Sequence, residues 1–66
     1  MNEMKIIETQ ETMEKIYTDV RETLQYIETV EKTRKLTERE RFLKKYCRQM
    51  QSLTADTMQM LDTIED

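Results

Sequence analysis

The sequence predicts an all-α protein, an antiparallel hairpin of two long helices forming a single domain over residues 1–66. Three observations point there. The chain has no glycine and no proline, the two residues that helix interiors exclude and that tight turns between strands rely on. Apolar residues recur with heptad spacing in each half of the chain. The two stripes are out of phase, and a helix-start signal lies between them.

The first helix is expected over residues 3–33. Ile6, Met13, Val20 and Ile27 repeat every seven residues, with Ile16 and Val30 between them and Tyr17 and Leu24 one step round. That stripe is wider than the seam of a two-stranded coiled coil. Thr9 and Thr23 occupy positions where a second core residue would stand, and they weaken it.

A short polar link is expected over residues 33–37. Carried forward from Ile27, the first stripe lands on Arg34 and Arg41, so one straight helix cannot continue it. Thr37-Glu38-Arg39-Glu40 has the form of a capping box, in which the threonine oxygen and the glutamate side chain each satisfy the other residue's backbone N–H. This favours a full turn, although periodicity alone also allows a kink in one long helix.

The second helix is expected over residues 38–65. Leu36, Leu43, Met50, Thr57 and Ile64 form one row, and Tyr46, Leu53 and Met60 alternate with them. Facing the first stripe, these rows would form the hairpin core. Each arm would be about 45 Å long at 1.5 Å per residue.

Two helices touching along one line cannot cover everything. The residues left over, Tyr17, Leu24, Phe42, Cys47, Met58 and Leu61, define the expected partner-binding surface, together with Met50 from the methionine cluster of the second helix. Tyr26 is a further off-stripe aromatic. Six methionines in 66 residues fit an adaptable surface that another helix could pack on, since methionine is flexible and polarizable. The expectation is therefore a protein partner or a second copy. Small chains without disulfides or metals commonly need one.

Charge is distributed unevenly. Residues 1–31 carry three basic and eight acidic side chains, residues 32–48 eight basic and two acidic, and residues 49–66 four acidic and no basic ones. A hairpin would thus have a positive tip built from Arg34, Lys35, Arg39, Arg41, Lys44 and Lys45, and a negative open end. An antiparallel pair of hairpins would set tip against open end and complete a four-helix bundle. The 32–48 segment also suggests phosphate binding, with Phe42 and Tyr46 for stacking. The net charge of −3 and the acidic flanks argue against nucleic acid.

Catalysis has little to work with. Histidine is absent and cysteine occurs once, so neither a zinc pattern nor the commonest general base is available. No catalytic residue, metal or cofactor is expected. No stretch approaches the ~20 apolar residues of a membrane span. The acidic opening MNEMKIIETQE is unlike a secretory signal, and one cysteine suits a reducing compartment, so a cytoplasmic protein is expected.

The paired stripes Ile6–Val30 and Leu36–Ile64, joined by EKTRKLTERE, give the whole chain a length and layout that resemble the small co-chaperones of type III secretion needle subunits. The resemblance implies a hetero-complex with a larger helical-repeat chaperone that keeps an aggregation-prone needle subunit monomeric in the cytoplasm. The sequence reading is thus a non-enzymatic adaptor or chaperone. A homodimeric bundle with a structural or regulatory role is the alternative, and binding of nucleic acid through residues 32–48 a lesser one.

Overall fold

The computed structural model describes residues 3–63. They form two α-helices, α1 (Glu3–Glu31) and α2 (Glu38–Thr63), packed side by side along their length. The molecule measures 49 × 16 × 14 Å. An unbroken rod of sixty residues would be about 90 Å long, so the chain folds back on itself as an all-α hairpin.

α1 ends two residues earlier than expected, at Glu31. The N–H groups of Thr33 and Arg34 both donate to the Val30 carbonyl, at 2.9 and 3.0 Å. The Thr33 hydroxyl donates to the same oxygen at 2.9 Å. One carbonyl thus gathers the donors that a continuing helix would distribute over successive turns. No described residue has positive φ, so this turn makes no demand for glycine.

α2 begins where the capping box placed it. The Thr37 N–H donates to Glu40 Oε1 at 2.8 Å, and the Glu40 N–H donates to Thr37 Oγ1 at 3.2 Å. The Arg34 guanidinium grips the same carboxylate through two hydrogen bonds of 2.8 Å each. Across the mouth of the turn, Lys44 Nζ donates to Glu31 Oε1 at 2.7 Å. At the open end, Gln10 Nε2 reaches Asp62 Oδ1 at 3.3 Å. The helical threonines place their hydroxyls on the preceding turn: Thr9, Thr12, Thr23, Thr29 and Thr57 each donate to the carbonyl four residues back, a local bond open to threonine in a helix.

The inner face of α1 is the stripe read from sequence. Val20, Leu24 and Ile27 are buried, Ile27 to 1% exposure. Ile6, Met13, Ile16, Tyr17 and Val30 flank them half-buried. Leu36 in the link is also buried.

The inner face of α2 differs from the expectation. The heptad rows place Leu43, Tyr46, Met50, Leu53 and Met60 in the hairpin core, and all five are exposed; Met50 is also one of the expected partner-binding residues. The buried and half-buried side chains of α2 are Glu40, Lys44, Cys47, Gln51, Thr54, Ala55, Thr57, Met58 and Leu61. The reason lies in the turn. Glu40 points back to Thr37 and Arg34, and Lys44 points across to Glu31, which sets the rotation of α2 about its own axis. At about 100° per residue, the inward face then runs 40, 44, 47, 51, 54, 58 and 61. Large α1 side chains fill the space left by small ones on α2, with Ile16, Val20 and Leu24 packing around Cys47. The buried Thr54 hydroxyl donates to the carbonyls of Met50 and Gln51, at 2.8 and 3.1 Å.

The expected end of the second helix at 65, and Ile64 in its stripe, lie outside the described residues.

Candidate functional site

α2 presents two faces. One set is Lys44, Cys47, Gln51, Thr54, Met58 and Leu61. The other is Leu43, Tyr46, Met50, Leu53, Thr57 and Met60. Each member of the first follows directly after a member of the second, so the faces are separated by one residue, about 100° around the axis. The first covers α1. The second, with Phe42 beside it, is exposed at every position except Thr57, which is half-buried.

This outward set has strict 3-4-3-4-3 spacing, with Leu43, Met50 and Thr57 at the a positions of a heptad and Tyr46, Leu53 and Met60 at d. Leu53 is 67% exposed and Met60 61%. Phe42 and Tyr46, one helical turn apart, stack with ring centroids 6.3 Å apart and planes inclined by 8°. Lys45 Nζ sits 5.7 Å from the Tyr46 ring centre, placing a cation at the edge of the apolar ridge. By contrast, the exposed large apolar residues of α1 are Met4, Ile7 and Tyr26, which form no row. Scattered apolar residues are normal on a surface; a contiguous ridge of them is the feature that sets α2 apart from α1.

The expected partner-binding residues therefore divide. Phe42 and Met50 lie on the outward ridge. Tyr17, Met58 and Leu61 are half-buried along the contact between the helices. Leu24 and Cys47 are corrections: at 6% and 5% exposure they belong to the core, because α2 is rotated toward them. Sequence reasoning took Leu43, Tyr46, Leu53 and Met60 for core and so missed them as surface residues. The signal that could have located them is the capping box itself. With Glu40 tied to the turn, the row on its side of the helix is 44, 47, 51, 54 and 58, while Tyr46, Leu53 and Met60 lie about 120–160° round from it.

The basic tip also divides. Arg34 and Lys44 are engaged by Glu40 and Glu31. Lys35, Arg39, Arg41 and Lys45 remain exposed. The Arg34 guanidinium and the Thr37 amide together hold the Glu40 carboxyl down to about 2. The electrostatics of this region thus centre on the turn, where they fix the orientation of α2.

Among the described residues, no group of three or more His, Cys, Asp or Glu side chains could hold a metal ion. The Cys47 thiol is free and buried. No helix among the described residues is long and apolar enough to cross a membrane. No family model, curated protein or solved structure matches the chain.

Proposed function

We propose that this chain is a non-enzymatic protein–protein interaction module whose binding surface is the outward ridge of α2. One observation carries the reading: the ridge holds six large exposed apolar side chains, Phe42, Leu43, Tyr46, Met50, Leu53 and Met60, while the surface turned to α1 has only Met58 and Leu61 of that kind, its other residues being smaller or more polar. An isolated hairpin would gain by rotating α2 about one residue, 100°, and burying the ridge. Burial of a leucine-sized side chain is worth about 1.5–3 kcal/mol, more than the exposed ion pairs at the turn contribute. A ridge kept outward against that gain is accounted for by a binding partner that covers it.

The ridge has the form of a coiled-coil seam, so the fitting partner presents an apolar helix. A co-chaperone that shields such a helix of an aggregation-prone protein is one form of this module, and the size and two-helix layout of the chain support it. The single free cysteine fits action in the cytoplasm.

The test is site-specific photo-crosslinking in the native host, with benzoylphenylalanine at Leu53 on the ridge or at Gln25 on the far side of α1. Protein adducts are expected from position 53, absent from position 25, and abolished by Met50→Asp. Equal yields at both positions, or none at 53, would overturn the assignment.

A further inference from the structure

We propose that the ridge of α2 pairs antiparallel with the ridge of a second copy, in one register, with a twofold axis passing between Gln51 and Ser52. This rests on the interaction-module reading and names its occupant.

The register follows from the spacing. In an antiparallel pair, a positions pack against d positions of the other helix. Placing Met50 against Leu53 of the partner subunit brings Tyr46 onto Thr57 of the partner subunit, and Leu43 onto Met60 of the partner subunit. Symmetry then repeats all three contacts, for six layers. The ridge is complementary to itself, and the largest side chain in it, Tyr46, meets the smallest, Thr57.

Orientation follows from charge. Residues 38–48 carry five basic side chains (Arg39, Arg41, Lys44, Lys45 and Arg48) and two acidic ones (Glu38 and Glu40), a net +3. Residues 49–63 carry only Asp56 and Asp62, a net −2. Antiparallel pairing lays each basic half along the acidic half of its mate. Parallel pairing would stack Tyr46 on itself and align like charges, which is repulsive at short range.

Area and shape agree. With about 200 Å² for a fully exposed large side chain, the exposed fractions of the six ridge residues leave roughly 600 Å² of apolar surface per protomer. A standard interface buries about 800 Å² per partner, and the flanking polar residues Gln49 and Asp56 extend the patch toward that. The angle of about 100° between the two faces of α2 also suits a helix bundle, where each helix meets two neighbours at nearly right angles.

The mass of the full chain should be followed by light scattering from low micromolar to several hundred micromolar. It should rise from 8.1 kDa toward twice that value. Leu53→Asp, at an exposed position, should weaken association at least ~100-fold while leaving the helical circular dichroism intact. Ile7→Asp, at an exposed apolar residue of α1, should change nothing. In a Cys47→Ala background checked for helicity, spin labels at Ser52 should be offset by only about 2 Å along the helix direction, and labels at Glu38 by about 40 Å along it. Short distances at both sites mean parallel pairing and overturn the proposal. So does a dimer that survives Leu53→Asp, or a folded monomer at every concentration. A folded monomer that still yields position-53 photo-adducts with another protein would leave the interaction module standing and remove only the self-pairing.

Discussion

The rotation of α2 can be tested by moving the same substitution from one of its contact surfaces to the other side of the helix pair. Leu24 on α1 is 6% exposed and Leu53 on α2 is 67% exposed, so Leu→Ala at the two sites should differ sharply. At Leu24 it removes three nearly dry carbons and opens a cavity against Cys47, with an expected cost of about 3 kcal/mol. At Leu53 about a third of the same group is buried. At about 0.8 kcal/mol per buried carbon the loss is ~0.8 kcal/mol, and alanine's helix propensity returns a few tenths. Both changes should be made in a Met50→Asp background, so that association contributes nothing. Urea unfolding followed by circular dichroism then reads the result. With a slope near 1 kcal/mol per molar, the midpoint should fall by roughly 3 M for Leu24→Ala and about 0.5 M for Leu53→Ala. The heptad rows alone would place Leu53 inside and Leu24 at the wet margin. Equal costs, or a larger one at Leu53, would therefore refute the rotation and everything built on the ridge.

Two further outcomes concern the turn. Glu40 titrates at about 2 when folded and near 4.3 when unfolded. Its folded value is lowered, so its contribution is present above the unfolded value and is lost as the pH falls from about 5 toward 2. Urea midpoints at pH 7, 4 and 2.5 should decline accordingly, Glu40→Gln should flatten the decline, and high salt should shrink it because the pair is partly exposed. Thr37→Ala leaves the Glu40 N–H without its acceptor and should cost about 1 kcal/mol, read from the same unfolding curves, with Thr37→Ser restoring most of it.

The two helices and the place of the turn were legible because each rests on local chemistry. The absence of helix breakers, the α1 stripe from Ile6 to Val30 and the Thr37–Glu40 cap require no knowledge of tertiary packing. The face that α2 turns to α1 was not legible from periodicity. Leu43, Met50 and Leu53 form the more apolar row, and a hydrophobic pattern shows where greasy residues lie without showing which neighbour covers them. The inward row includes Lys44, Gln51 and Thr54, which resemble surface residues until their partners are known. Lys44 is tied to Glu31, and Thr54 bonds back to its own helix. Leu24 and Cys47 were misplaced for the same reason, since burial at either site depends on how far α2 is rolled. The candidate site was therefore half-legible: Phe42 and Met50 are among the expected partner-binding residues, whereas the heptad rows put Leu43, Tyr46, Leu53 and Met60 on the wrong side.

The single-residue offset between the two surfaces of α2 has an evolutionary consequence. One extra codon between Arg41 and Phe42 would roll the rest of the helix by about 100°, carrying Leu43, Tyr46, Met50, Leu53 and Met60 into the hairpin interior. The slots they and Thr57 vacate would pass to Phe42, Lys45, Gln49, Ser52, Asp56 and Gln59, a mainly hydrophilic row. A ridge that faces solvent and a ridge that faces α1 are thus separated by a three-nucleotide insertion, with every existing side chain kept.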